Sequence, residues 1–269
     1  MTARTLKHYH AQLSPARGTV ISLAAFCAFV TVGSVVATPL AGLAAAEVAG
    51  ALVVVLASIV ILGPRDWRAG LFLHRAKPWA WLAASVLGLT MWLINIRLTM
   101  FMAHQVALPT DNPALNAVAL EPSMLASLVG VAVLPAICEE LWFRGCWLRC
   151  CVSRWPRVVA VLVVSVGFSA FHVSWAQSIS TLVLGIILGF LTLQSTSVGP
   201  AIWAHLLNNT IAILVSRKQL PWITYHCAKY PTLSTTIAAG AALLGIALIA
   251  GRGQRLAWPR SAGTAQTRS

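Results

Sequence analysis

The chain has 269 residues, of which 58% are hydrophobic and only 9% carry a charge. Soluble domains average about 25% charged residues, so this composition excludes a soluble globular protein and predicts a polytopic membrane protein. The formal net charge of +13 does not indicate nucleic-acid binding, because the basic residues flank apolar runs instead of forming one basic face. The six cysteines show neither metal-ligand spacing nor a disulfide framework.

Apolar runs of about 20 residues, the length that crosses a bilayer, predict eight membrane helices. In chain order they cover residues 19–40, 43–63, 79–103, 123–148, 158–175, 179–196, 199–216 and 231–251. A short amphiphilic segment over 217–230 precedes the last helix, and the loop over 104–122 contains no lysine or arginine. The predicted fold is therefore an all-α membrane helix bundle.

Basic residues also predict the orientation of the chain. The N-terminus, the loop 64–78, the turn 149–157 and the tail are rich in arginine, which places them on the cytoplasmic side. An even number of crossings agrees with this orientation. Arg217, Lys218 and Lys229 disagree, so either the 217–230 segment lies flat on the membrane or one of the last three helices does not cross fully.

Two of the six acidic residues, Glu139 and Glu140, are adjacent within the fourth apolar run. A carboxylate inside a bilayer costs roughly 2.5–3.5 kcal/mol on insertion scales, so such residues usually have a role. Arg144 follows Glu140 by four positions and shares its helix face, which predicts a buried ion pair. Glu139 is rotated by about 100° from Glu140 and has no basic partner on its own helix. It is therefore a candidate general acid or base.

Two later helices carry polar groups that could meet these glutamates. His172 ends a Phe-x-x-x-His string in the fifth helix, and His205 and Asn209 share one face of the seventh. Taken alone, each histidine is also consistent with structural hydrogen bonding between helices. Asn208 points elsewhere on the seventh helix and is expected to pack against or bond to a neighbouring helix.

Three further features of the sequence lie outside this polar cluster. Glu47, near the start of the second helix, either lines a cavity or reaches the membrane interface. Arg97, late in the third helix, is expected to extend towards the interface or to pair with an acid. Gly185 and Gly189 are four residues apart in the sixth helix, which predicts close helix packing.

The ordered set of three strings resembles the signature motifs of a known family. They are Glu-Glu-x-x-x-Arg at 139–144, Phe-x-x-x-His at 168–172 and His-x-x-x-Asn at 205–209. Together they resemble the CPBP family, which comprises the CAAX-prenyl endopeptidases and the bacteriocin-processing or self-immunity proteases, also called Abi. The resemblance covers residues 123–216, and the first three helices carry no part of it.

The resemblance implies a glutamate-dependent intramembrane endopeptidase with a polar site between helices 4, 5 and 7. Glu139 and His172 would activate a water molecule for attack on a peptide carbonyl. His205 and Asn209 would stabilise the oxyanion, the interaction that often dominates such catalysis. Glu140 and Arg144 would support the fourth helix.

The charge pattern of the chain and the resemblance together predict an organisation, a location and a set of partners. Residues 1–122 would hold the first three helices, 123–251 the catalytic core, and 252–269 a basic, disordered cytoplasmic tail. Expected partners are the lipid bilayer and a peptide or protein substrate, such as a prenylated CAAX tail, a leader peptide or a C-terminal sorting signal. No nucleic acid is expected, and a bacterial inner membrane is the expected location.

Three alternatives stay open at this point. One carboxylate and two histidines also form a zinc-ligand set, although no His-Glu-x-x-His string accompanies them, so no cofactor is expected. A transporter or proton relay would use the same buried groups, but it usually shows internal repeats, and none is detectable here. A non-enzymatic immunity or scaffold protein could also keep this fold.

Overall fold

The computed structural model describes residues 13–105, 123–172 and 174–252. Most of the 104–122 loop and of the tail after Gly251 lies outside these residues. The described chain forms ten helices: α1 Pro15–Val35, α2 Pro39–Leu62, α3 Trp67–Gly70, α4 Pro78–Gln105, α5 Met124–Val152, α6 Arg157–Phe171, α7 Ser178–Ser195, α8 Gly199–Ser216, α9 Pro221–Lys229 and α10 Pro231–Arg252.

The predicted helical membrane bundle is confirmed. Within the described ranges, six helices are long and apolar enough to cross a bilayer: α1, α2, α4, α5, α7 and α10. Helix α6 is apolar but shorter, and α8 has the boundaries predicted from the sequence. The amphiphilic segment forms the separate helix α9. The chain is an integral, multi-pass membrane protein.

The first two helices begin four residues earlier than the apolar runs predict. Both start on a proline, Pro15 in α1 and Pro39 in α2. Proline suits the first helical position because its missing N–H has no partner there and its φ angle is already helical. In α1 the start is reinforced by Ser14, whose Oγ accepts a hydrogen bond from the backbone N–H of Arg17 at 3.2 Å.

Helix α5 is not a regular α-helix along its length. Two π-helical stretches, Leu128–Val133 and Leu141–Trp147, flank the α-helical stretch Leu134–Glu140 that carries both glutamates. Pro135 contributes to the irregularity because it has no N–H to donate to the carbonyl of Val131. π-Helical turns often occur at functional sites. The irregular geometry therefore surrounds the residues that the sequence singled out.

Small residues bring the helices that carry the histidines close to their neighbours. A Cβ atom added at Gly88 of α4 would lie 2.6 Å from the carbonyl oxygen of Ala204 in α8, so only glycine fits there. On α7, a Cβ at Gly185 would lie 3.1 Å from Ser165 Cβ, and one at Gly189 would lie 3.0 Å from Val161 Cγ1. The predicted close packing of this glycine pair is confirmed, and its partner is α6.

Candidate active site

Glu140 is the centre of a buried ion-pair cluster. Nη1 of Arg144 donates to Oε1 of Glu140 at 2.7 Å, as the four-residue spacing predicts. Nδ1 of His205, on α8, donates to the same oxygen at 2.9 Å, and Nη2 of Arg144 reaches the carbonyl oxygen of Gly185 on α7 at 3.4 Å. Glu140, Arg144 and His205 are 0%, 1% and 3% exposed. The cluster therefore joins α5 to both α7 and α8.

The bond to Glu140 fixes what His205 can do. A carboxylate that is paired with a guanidinium is ionised and can only accept hydrogen bonds, so Nδ1 of His205 must carry a proton. The other ring nitrogen, Nε2, then accepts a hydrogen bond if the ring is neutral and donates one if the ring is an imidazolium. An oxyanion-stabilising role for His205 therefore requires the doubly protonated ring.

The buried ring of Phe168 brings the two histidines and the arginine together. The guanidinium carbon of Arg144 lies 4.1 Å from the ring centroid of Phe168, within the range of a cation–π contact. The ring centroids of His172 and His205 lie 4.8 Å and 6.0 Å from that of Phe168, both edge-to-face. The motif phenylalanine therefore packs between histidines from two different helices.

His172 has a defined tautomer. Its Nδ1 lies 2.9 Å from the carbonyl oxygen of Phe168, which can only accept, so Nδ1 carries the proton. The lone pair is then on Nε2, the form needed to accept a proton or to orient a water molecule. Helix α6 ends at Phe171, four residues before the predicted end, so His172 lies in the turn that follows the helix.

Hydroxyl groups hold this turn. Oγ of Ser169 donates to the carbonyl oxygen of Ser178 at 2.7 Å, and Oγ1 of Thr181 donates to Oγ of Ser169 at 3.2 Å. These bonds connect the last turn of α6 to the first turn of α7. They restrict the backbone on both sides of His172, and the sequence motifs did not identify them.

Three amides form a hydrogen-bonded chain from α4 to α5. Nδ2 of Asn95 donates to Oδ1 of Asn208, and Nδ2 of Asn208 donates to Oδ1 of Asn209, each at 3.0 Å. Nδ2 of Asn209 donates to the carbonyl oxygen of Val131 at 3.2 Å. This is the carbonyl that Pro135 leaves without its usual α-helical donor. The expected bond of Asn208 to a neighbouring helix is confirmed.

Glu139 has a different environment from Glu140. It is 5% exposed, and among the described residues no amide, guanidinium, imidazole or hydroxyl group donates to its buried Oε2. The charged or titratable groups within electrostatic range of it are Glu47 on α2, His205 on α8, and Glu140 and Arg144 on its own helix.

The structure also places the two charged residues outside the motifs. Glu47 is only 2% exposed, so of its two alternatives the one at the membrane interface is wrong. The reason is that α2 packs against the stretch Leu134–Glu140 of α5. Nη2 of Arg97 donates to the backbone carbonyl oxygen of Cys227 on α9 at 2.9 Å, so its partner is a peptide group and not an acid.

Within the part of the chain that the structure describes, no three histidine, cysteine, aspartate or glutamate side chains come together as metal ligands. Nδ1 of His172 and Nδ1 of His205 are both engaged by protein oxygens, so Nε2 is the ring nitrogen that each histidine has left for other contacts.

An apolar cavity of about 220 Å³ lies between α1, α5 and α6. Its walls include five aromatic side chains: Phe26, Trp142, Phe143, Trp147 and Phe171. The ring centroid of Phe171 lies 5.2 Å from that of Trp142, which is three residues after Glu139. The cavity is lined by residues next to the motif strings, such as Trp142 and Phe171, and suits an apolar group.

One known protein family matches part of the chain. Residues 121–211 match the family model described as type II CAAX prenyl endopeptidase Rce1-like. The match agrees with the resemblance of the three strings to the CAAX protease family. All three motif strings lie inside the matched residues, as do the helices α5 to α7 and most of α8. The family is one of membrane proteases that act on peptides or proteins. No curated protein and no solved structure matches the chain.

Proposed function

We propose that this protein is an intramembrane endopeptidase in which Glu139 is the general base. The observation that carries the proposal is the contrast between two adjacent buried carboxyl groups. Oε1 of Glu140 accepts from Arg144 and His205, whereas among the described residues no arginine, lysine or histidine pairs with Glu139. The second carboxyl oxygen, Oε2, has no partner among the same residues in either group. A carboxylate with a vacant lone pair in a water-poor site is suited to take a proton from water.

In the proposed reaction, Glu139 and Nε2 of His172 hold one water molecule between them. Glu139 accepts a proton from this water as its oxygen attacks the peptide carbonyl carbon. The proton then passes to the amide nitrogen as the C–N bond breaks, which yields a carboxylic acid and an amine. General acid–base transfer of this kind contributes about 10²- to 10⁴-fold to a rate.

The oxyanion that forms during attack would be stabilised by α8. Asn209 has two hydrogens on Nδ2, and the bond to Val131 uses one of them, which leaves a second for the oxyanion. His205 would donate from Nε2 as an imidazolium, while its Nδ1–H stays bonded to Glu140. Donors fixed in advance in this way stabilise developing charge at low reorganisation cost.

The aromatic cavity suggests how a substrate could be held. A prenylated CAAX tail presents a peptide bond next to an apolar chain, and the cavity beside Phe171 and Trp142 would accept that chain. A leader peptide or a C-terminal sorting signal would instead place an apolar side chain there. The family match favours the first of these substrates.

The test is peptide cleavage by the purified protein in proteoliposomes. A prenylated CAAX peptide and the same peptide without its lipid serve as substrates, and mass spectrometry identifies the products. We expect cleavage by the wild type and none by Glu139→Ala or His172→Ala, with the insertion and folding of both variants retained. Asp66→Asn and His226→Gln are matched controls outside the cluster. Cleavage by either active-site variant at the wild-type rate would contradict the proposal.

Comparison of C-terminal fragments in cells finds the native substrate. Cells that produce the wild type should accumulate a truncated product that is missing from cells that produce Glu139→Ala. Proton flux through proteoliposomes without any proteolysis would instead favour a proton relay that uses the same buried groups.

A further inference from the structure

The carbonyl group of Val131 sets the direction of the amide chain between α4 and α5. Its oxygen can only accept, so Asn209 must turn Nδ2 and not Oδ1 towards it, at 3.2 Å. Oδ1 of Asn209 then accepts from Nδ2 of Asn208. Oδ1 of Asn208 is left to accept from Asn95. Each amide therefore takes its orientation from the next one along the chain.

The opposite end of the chain does not set this direction. Oδ1 of Asn95 is buried and has no hydrogen-bond partner among the described residues. Reversal of all three amides would keep both amide–amide bonds and would give this oxygen a donor. It would also turn Oδ1 of Asn209 against the carbonyl oxygen of Val131, where two acceptors would meet without a proton between them. The bond at Val131 therefore decides the polarity of the whole chain.

Pro135 makes the carbonyl oxygen of Val131 available. In a regular α-helix the N–H of residue 135 would donate to this oxygen, but proline has no N–H. Pro135 and Glu139 are four residues apart in the α-helical stretch Leu134–Glu140, so they lie on one face of α5. Asn209 therefore bonds to α5 about one helical turn before Glu139, on the face that carries it.

Close packing of α4 against α8 brings the other two amides together. Asn95 is seven residues after Gly88 on α4, and it therefore lies on the same face of the helix. Asn208 is four residues after Ala204 on α8 and shares its face for the same reason. A Cβ atom at Gly88 would lie 2.6 Å from the carbonyl oxygen of Ala204. The approach that excludes a side chain at Gly88 thus places Asn95 within hydrogen-bond distance of Asn208.

We infer that this chain fixes the Asn209 amide with its nitrogen, and not its oxygen, available to the oxyanion. Asn95, Asn208 and Pro135 are therefore positioning residues of the active site. The inference rests on the proposed endopeptidase function. One hydrogen of Nδ2 is fixed on Val131, so the second has a set direction. A reversed Asn209 would present Oδ1 to the oxyanion and repel it, whereas a donor oriented in advance stabilises it.

Cleavage kinetics in proteoliposomes test the role of Pro135. Pro135→Ala restores an N–H that competes with Asn209 for the carbonyl oxygen of Val131. We expect kcat to fall by up to about 10²-fold, the loss that a displacement of about 1 Å can cause, with KM unchanged. Pro231→Ala, at the exposed first residue of α10, is the matched control and should leave kcat unchanged. An unchanged kcat in Pro135→Ala would overturn the inference.

A double-variant comparison separates positioning from a general disturbance of α5. Asn209→Ala removes the amide itself and should lower kcat by about 10²- to 10³-fold, as the loss of an oxyanion donor does. In that background Pro135→Ala should cause no further loss, because no amide remains to be displaced. Asn95→Ala should behave in the same way with a smaller loss, and it replaces Pro135→Ala if that variant does not fold. Equal factors with and without Asn209 would contradict a positioning role.

Nuclear magnetic resonance tests the chain without any substrate. In protein that contains isotope-labelled asparagine, the side-chain Nδ2 signals are assigned from the single alanine variants. Pro135→Ala should shift the signals of Asn208 and Asn95 as well as that of Asn209, and Pro231→Ala should shift none of them. A shift confined to Asn209 would contradict transmission along the chain. If the wild type cleaves no peptide, the proposed function fails, and these signals still decide whether the three amides are coupled.

Discussion

The two faces of α5 that carry Glu139 and Glu140 differ in almost every respect except residue type. On one face, Glu140 is held by a guanidinium and an imidazole from α5 and α8, at 2.7 Å and 2.9 Å. On the other, Glu139 has Glu47 of α2 within electrostatic range, and among the described residues no guanidinium or imidazole is bonded to it. A rotation of about 100° along one helix separates a buried ion pair from the carboxyl group that we propose as the general base.

This difference shows how a membrane helix can contain two acids for two purposes. Arg144 pairs with Glu140 and also donates to the carbonyl oxygen of Gly185, which connects α5 to α7. Such a pair adds little net stability over apolar packing, but breaking it leaves a charge buried without a partner. The other face keeps a carboxylate available for chemistry. Changes to the two faces should therefore separate activity from stability.

The largest expected effect is a loss of cleavage rate on substitution of His172, the proposed partner of Glu139. His172→Gln can keep the bond to the carbonyl oxygen of Phe168 through its amide nitrogen, but it cannot accept or relay a proton. We expect kcat to fall by about 10²- to 10⁴-fold. The melting temperature should stay close to that of the wild type. The measurement is the rate of cleavage in proteoliposomes, and His226→Gln, on the amphiphilic helix α9, is the matched control. Equal losses of kcat in both variants would contradict a specific role of His172.

Next in size is the paired face, where Arg144→Leu leaves Glu140 without its guanidinium. Loss of one partner of a buried ion pair costs about 3–5 kcal/mol, which chemical unfolding in detergent would measure. Arg65→Leu, at an exposed position, is the control and should have little effect on the free energy of unfolding. The double variant Glu140→Gln/Arg144→Leu should lose less than the sum of the single losses. Additive losses would mean that the pair is not coupled.

A smaller effect is expected where α4 supports α8. Gly88→Ala places a methyl group against the carbonyl oxygen of Ala204, one residue before His205. Overpacking of this kind costs about 1–3 kcal/mol and should displace α8, so both stability and cleavage should decrease. Gly240→Ala is the control, because a Cβ atom there meets nothing within 4 Å. If both variants unfold at the same denaturant concentration, the close approach of α4 and α8 does not contribute to stability.

The smallest effect concerns the amide chain. Asn95→Ala removes the donor that holds Asn208 but touches neither glutamate. Hydrogen bonds between membrane helices contribute about 0.6 kcal/mol on average, so the loss of stability should be of that order. If the amide chain also orients Asn209, Asn95→Ala should lower kcat modestly as well. Unfolding curves and kcat measured on the same preparation check this, and a loss as large as that of Arg144→Leu would contradict it.

Local spacing explains which parts of the site could be predicted from the sequence. The four-residue interval between Glu140 and Arg144 determines their contact whenever the segment is helical, so this pair is confirmed. The lengths of the apolar runs predicted the membrane helices for a similar reason. Like the four-residue interval, the length of a run depends only on residues along one helix. The close packing at Gly185 and Gly189 also follows from a helical interval, although the identity of the partner helix does not.

Contacts between helices were not predictable from spacing. The bond from His205 to Glu140 depends on how α8 is rotated against α5, and the approach of Glu47 to Glu139 depends on how α2 packs through Gly50. The π-helical stretches of α5 were also missed, because single residues such as Pro135 only permit them and tertiary packing selects them. Gly50, three residues after Glu47, was the signal in the sequence for the direction in which the Glu47 side chain points.

One paired measurement tests the division between the two glutamates most directly: cleavage rate and melting temperature for Glu139→Gln and Glu140→Gln in the same proteoliposome preparation. Glu139→Gln is expected to lose cleavage by at least about 10²-fold at an unchanged melting temperature. Glu140→Gln is expected to melt at a clearly lower temperature, because Arg144 is left partly uncompensated. Wild-type cleavage by Glu139→Gln, or full stability in Glu140→Gln, would contradict the assignment of catalysis to one face and support to the other.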